Sequence, residues 1–138
     1  MTMPPHRPVN PQSLVSPSGF SHGIVADEGR SIWVAGQIGV DDQGVVTPGG
    51  FVAQFDQALA NVVRVVDAAG GEPEHIVAMT IYTTAMNDYR SSLGLLGPVW
   101  RDHMGRHYPA VAMLGVTELV EPDALVEIVA VAVVPPGL

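Results

Sequence analysis

The chain has 138 residues, 47% hydrophobic and 14% charged, which bounds it to one globular domain that buries roughly 68% of its unfolded surface. Its net charge is -8, its six basic residues are all arginine and it has no lysine, so it lacks the basic footprint that a nucleic-acid backbone requires. With no cysteine it can form no disulfide, thiolate metal site or cysteine nucleophile.

The first residues, Met-Thr-Met-Pro-Pro-His-Arg-Pro, carry no apolar core of a signal peptide, and no apolar run approaches the ~20 residues of a membrane span. The chain therefore reads as a soluble, cytoplasmic protein. Much apolar residue and little charge leave surface for a second copy, so a homo-oligomer is expected.

Pro4, Pro5, Pro8, Pro11 and Pro17 exclude helix and inner strand from the first segment, so residues 1–18 are expected to form an extended arm and 19–138 the single domain. Ile24-Val25-Ala26 and Ile32-Trp33-Val34-Ala35 flank Asp27-Glu28-Gly29-Arg30, the signature of a hairpin. Gly36-Gln37-Ile38-Gly39 follows, then a turn through Asp41-Asp42-Gln43-Gly44 and a short Val45-Val46.

Phe51, Phe55, Ala58, Leu59, Val62, Val63 and Val66 recur at three- and four-residue steps, which predicts a helix from about Gly50 to Ala69, ended by Gly70-Gly71. His75 to Thr84 reads as a strand. A second helix should start near Asp88 and run toward Gly105, its stripe formed by Tyr89, Leu93, Leu96, Trp100 and Met104. Pro98 should kink or split it. Pro109 opens a strand to Val116, and Glu121-Pro122-Asp123 leads to a last strand closed by Pro135-Pro136. This order predicts an α+β domain with both helices on one sheet face. The other face would need a cover, which again favours an oligomer.

The last strand holds the most informative residue. From Ala124 to Val134, Glu127 is the single polar side chain of a Val-rich run that reads as a strand covered on both faces. A buried carboxylate needs something to bind it. Desolvation favours its protonated form, which suits a group that trades protons near neutral pH. Equally, Glu127 could sit at a wet strand end or pair with an arginine across a subunit contact.

The other constellations are weaker. Gly36-Gln37-Ile38-Gly39 could turn backbone N–H groups toward an anion, although a plain turn explains it as well and no Lys-Ser or Lys-Thr follows. His103 and His107 are four apart, but they lack a third ligand and a His-Glu-x-x-His pattern, so no metal site is expected. His22 reads as a hydrogen-bonding loop histidine, while Arg101 and Arg106 could hold a carboxylate or face solvent beside Asp102.

Taken together, the segments Gly19-Phe20-Ser21-His22-Gly23, Val34-Ala35-Gly36-Gln37-Ile38, Ala58-Leu59-Ala60-Asn61-Val62, Ala68-Ala69-Gly70-Gly71, Met86-Asn87-Asp88-Tyr89, Tyr108-Pro109-Ala110 and Leu125-Val126-Glu127-Ile128 resemble, in order and spacing, the RidA (YjgF/YER057c/UK114) family. The resemblance implies a chorismate-mutase-like α+β fold, assembled as a homotrimer with small-molecule clefts between neighbouring subunits. It implies hydrolysis of enamines and imines to a keto acid and ammonia without a cofactor. Glu127 then stands at the catalytic glutamate, and Phe20, Gly36, Gln37, Val111 and Met113 stand at substrate-binding positions.

Several of these positions depart from the family pattern. Ala35 replaces a serine, Phe20 a tyrosine, Met113 a cysteine and Leu93 an asparagine. Val111 replaces the arginine that clamps the substrate carboxylate, a contact worth ~2–4 kcal/mol, or 30- to 1,000-fold in affinity. The resemblance therefore implies a divergent imine or enamine deaminase acting on a non-standard substrate. The alternative is a non-catalytic trimer that binds a metabolite or a partner protein, and an endoribonuclease ranks third.

Overall fold

The computed structural model describes residues 5–137. Among the described residues six strands and three α-helices, with one short 3-10 helix (Pro73–His75) before β4, occur in the order β1 (His6–Val9), β2 (Gly23–Ala26), β3 (Arg30–Ile38), α1 (Phe51–Ala68), β4 (Ile76–Thr83), α2 (Met86–Ser91), α3 (Leu93–Met104), β5 (Ala110–Gly115) and β6 (Val126–Val134). The main sheet has the order β3-β6-β4-β5. β6 runs antiparallel to β3 and β4, whereas β5 runs parallel to β4. The expected α+β architecture is present, with the helices on one face.

The core lies between that face and the helices. Ala58, Leu59, Val62 and Val66 on α1 are fully buried, as are Val126, Ile128 and Ala132 on β6. Each fully buried leucine or valine side chain contributes ~1.5–3 kcal/mol of transfer free energy. Buried and half-buried residues alternate along β4 and most of β6, as a sheet with one covered face requires. Glu127, Val129 and Val131 project from the other face and are half-buried, so the expected coverage of both faces of β6 is not met within one chain. Trp33, paired with Val131 on that open face, is 78% exposed.

Two local expectations are corrected. β2 and β3 do not form a hairpin: β2 pairs with β1 in a separate two-stranded sheet, and β3 pairs with β6. Gly29 carries the chain over the end of β6, where a Cβ would stand 2.3 Å from the Val134 carbonyl oxygen. The predicted long helix is broken at Ser92, six residues before the proline, and Pro98 lies inside α3. The carbonyl that loses its partner at Pro98 belongs to Gly94, which is solvent-exposed and can be hydrated.

Within the Pro-rich arm, His6–Val9 is the extended strand β1, joined to the body through β2. His6 Nε2 lies 2.7 Å from the Val133 carbonyl oxygen, which fixes that strand against β6. The residues before Pro5 lie outside those described. No helix among the described residues is long and apolar enough to cross a membrane.

Candidate functional site

Two assemblies of residues stand out, and the sheet separates them. The first is built around Glu127. Between Val34 and Gln37 the register of β3 against β6 shifts, so that Ala35 and Gly36 together oppose Val129. Such a bulge re-aims the strand locally. Gly36 then faces the Glu127 side chain so closely that a Cβ would lie 2.7 Å from its Cδ and 2.9 Å from Oε2. Hydrogen at that position leaves room for the carboxylate where it stands, and any larger group would displace it. Gln37 is paired with Ile128 and its side-chain amide donates to the Ala35 carbonyl at 3.2 Å, which braces the bulge.

Helix α1 anchors both strands of this assembly. Asn61 donates to the Ile38 and Val40 carbonyls at 3.1 and 2.9 Å, holding the exit of β3. Buried Gln54 donates to the Asp123 carbonyl at 3.1 Å and accepts from the Leu125 N–H at 2.8 Å, which sets the entry of β6. Thr83 Oγ1 donates to the Leu125 carbonyl at 2.7 Å and accepts from the Ala85 N–H, so β4 is tied to the same point. The position of Glu127 is therefore set by interior polar contacts, each satisfied within the chain.

The second assembly is a cavity of about 700 Å³ on the helix face, bounded by β4, β5, α2, α3 and the segment before β2. The parallel register pairs Val111 with Met79 and Met113 with Ile81, which turns both side chains toward the helices. They form the floor with Phe55 and Ile81, each 4% exposed. Phe20 closes one side, held there because Ser21 donates its hydroxyl to the Tyr108 carbonyl at 2.6 Å and its N–H to the Pro109 carbonyl at 3.0 Å. Trp100 stacks on Tyr108 with centroids 6.2 Å apart and planes 3° apart, and its indole N–H donates to the His107 carbonyl at 3.0 Å. The wall is rigid and aromatic.

The structure thus brings Phe20, Val111 and Met113 together in one cavity, with Leu93 beside them. Gly36 is brought against Glu127, and Gln37 follows in the same bulge. It does not bring the two groups together within one chain. Glu127 pairs with Tyr82 on the open face of the sheet, while Val111 and Met113 occupy the face toward the helices.

Of the two arginines left open by the sequence, Arg101 lines this cavity and Arg106 lines a different one of about 610 Å³. His103 and His107 diverge: His103 Nε2 meets Asp56 at 2.5 Å, and His107 Nε2 meets the Ile76 carbonyl oxygen at 2.6 Å. Burial pushes the His107 imidazole below the ordinary histidine range, against the opposing influence of that carbonyl and of Glu74. His22 Nε2 meets the Val15 carbonyl oxygen at 2.7 Å, as a loop histidine would.

Sequence reasoning missed Gln54, Thr83 and the bracing role of Asn61. A polar residue inside the apolar stripe of α1, as Gln54 is, was the available signal.

Together, the split β-α-β sheet, the bulge opposite an acidic strand residue and the aromatic cavity at the β5 edge define a class of small α+β proteins. The model of the endoribonuclease L-PSP family matches residues 11–134, and the chain belongs to that family, which is the RidA family. It is 32% identical over 115 residues to a mouse (Mus musculus) 2-iminobutanoate/2-iminopropanoate deaminase, covering 83% of this chain and 80% of that one. Among solved structures it is similar to YyfB, a Rid-family protein of unknown function from Yersinia pestis, with TM-score 0.83, 30% identity and coverage of 94% and 99%. It is also similar to E. coli TdcF, solved with bound serine, with TM-score 0.68, 28% identity and coverage of 87% of this chain and 91% of that one.

Proposed function

We propose that the protein is a divergent imine or enamine hydrolase that works as a homotrimer, with clefts formed between copies of the chain. The observation that carries this reading is Glu127, an acid on an otherwise apolar strand, held against a glycine that makes room for it. The mouse relative's deaminase activity and the serine bound to TdcF support small nitrogen-bearing substrates. The open sheet face with Trp33 supports the assembly, since a second copy covers the apolar surface and can bring its Glu127 to the cavity of its neighbour.

In this scheme the Glu127 carboxylate takes a proton from a water as its oxygen bonds to the imine carbon. The protonated Glu127 gives that proton to the nitrogen of the carbinolamine formed from the protonated imine, and as the C–N bond breaks the carbinolamine hydroxyl passes its proton back to Glu127, leaving a carbonyl compound and ammonia. An enamine enters the same path after tautomerising to the imine. Backbone groups at Gly36 and Gln37 help to position the substrate, Phe20, Val111 and Met113 contact it, and no step requires a cofactor.

Val111 favours a second reading, a non-catalytic module that keeps the cleft for an apolar metabolite or a partner protein. Hydrolysis of RNA ranks below both. The six arginines are spread over β1, β3, α1, α2, α3 and the turn after α3, and do not form a phosphate-tracking stripe.

The test is turnover of 2-imino acids generated in situ by an amino-acid oxidase, comparing the natural chain with Val111→Arg and Glu127→Gln. Accelerated imine loss that Glu127→Gln abolishes, with folding intact, supports the hydrolase. Activity confined to Val111→Arg places the natural substrate outside the common 2-imino acids. Silence from the folded natural chain and from folded Val111→Arg supports the binding module.

A further inference from the structure

The cavity has one charged group in its lining, and it is not where the family resemblance would put a cation. Among its lining residues Arg101 is cationic and none is acidic. Arg101 belongs to the last turn of α3, is solvent-exposed, and makes no hydrogen bond or ion pair through its guanidinium among the described residues. Its guanidinium lies back along the helix over Gly97, with Nη1 3.4 Å from where a Cβ at that position would stand. A larger side chain at residue 97 would push it off this path. The floor beneath is the reverse in character: Val111, Met113, Phe55 and Ile81 are apolar, and the last two are almost fully buried.

A ligand that satisfies both ends must be amphipathic. We propose that Arg101 is the anion anchor of this cavity and that the ligand is a carboxylate with an aryl or branched-alkyl body. The body lies on the Val111–Met113 floor between Phe20 and Trp100, and the carboxylate meets Arg101 at the mouth. Guanidinium geometry suits a planar, two-oxygen anion better than an ammonium would. An apolar floor rewards each buried CH₂ by ~0.8 kcal/mol, so bodies larger than methyl or ethyl are preferred. The ordinary role of a basic residue in a last helical turn is to complement the helix dipole, which would need no ligand.

This inference rests on the reading that the cavity is the ligand cleft, but its test does not depend on turnover. Binding of 3-phenylpropionate and of its uncharged amide is measured by titration calorimetry on the assembled natural protein and on Arg101→Gln and Arg101→Lys. The expected result is carboxylate binding about tenfold tighter than amide binding, a preference lost in Arg101→Gln and partly kept in Arg101→Lys. Equal affinity for acid and amide, no binding of either, or an unchanged preference in Arg101→Gln would each overturn it. If the natural protein binds the acid through Arg101 yet hydrolyses no imine, the hydrolase reading fails and this inference stands.

Discussion

Replacing Gly36 by alanine tests the candidate site without touching its charge. Gly36 is not in the left-handed region of backbone space, so an L-residue fits the local chain without strain. The perturbation is therefore the contact itself. The new methyl carbon would stand 2.7 Å from Glu127 Cδ, and ordinary contact begins at 3.4 Å. The carboxylate carbon must retreat by about 0.7 Å, or the strands must part by as much. Glu127 is half-buried and has rotatable bonds, so the side chain moves first, at a cost of ~0.5–1.5 kcal/mol if it leaves its rotamer. The alanine returns ~0.4–1 kcal/mol by restricting the unfolded chain. Stability should thus change by under ~1 kcal/mol, whereas displacing a reacting group by nearly 1 Å costs on the order of 10²-fold in rate. Urea unfolding and imine turnover on the same preparation separate the two quantities. A folded Gly36→Ala protein with full activity, alongside an inactive Glu127→Gln, would refute the claim that this contact sets the catalytic geometry.

Three further outcomes are expected. Trimers co-refolded from equal amounts of two inactive variants, Glu127→Gln and Arg101→Glu, should recover about a quarter of natural activity, because a cleft built from two chains is intact in one pairing of four; no recovery would place each site within one chain. Asn61→Ala should cost about 1–3 kcal/mol in urea unfolding, because the Val40 carbonyl loses its side-chain donor and the Ile38 carbonyl keeps only the Val40 N–H. Stability should fall as pH drops below about 6.5, where an unfolded histidine takes up a proton that folded His107 resists because burial disfavours its charge. His107→Gln should remove this part of the difference in urea midpoint between pH 7.5 and 5.5.

Helix α1 was legible because its contacts repeat within the chain's own period: Phe55, Leu59, Val62 and Val66 mark a stripe that any covering sheet would bury. The turn at Asp27–Arg30 was not. A hairpin and a corner share the same local residues, and what separates them is where the strands find partners. β3 pairs with β6, about a hundred residues later, and β2 pairs with β1 inside a segment whose prolines argued only for extension. The break at Ser92 escaped for a related reason, since Pro98 was the visible breaker and Gly94 made it tolerable. For the site, Glu127 was legible as an anomaly in an apolar run. Its contact with Gly36 was not, because it depends on a bulge that no local pattern announces. Arg101 was visible only as a charge in a last helical turn, because its place in the cavity lining depends on where the fold sets α3.

The separation of Glu127 from the cavity bears on the proposed assembly as well. A sheet four strands wide has two faces, and this chain supplies helices for one. Leaving Trp33, Val129, Val131 and Leu114 in water would forgo the burial of several large side chains, each worth ~1.5–3 kcal/mol when covered. Placing the acid on that same face makes coverage and chemistry one requirement. A copy packed there in the proposed trimer would desolvate the carboxylate and strengthen its interactions with a bound substrate. In the proposed trimer, an isolated chain would hold the two halves of the site apart on opposite faces, so assembly would gate hydrolysis. Substitutions at Trp33 should then lower activity in step with the loss of trimer in light scattering, although Trp33 lies on the face opposite the cavity.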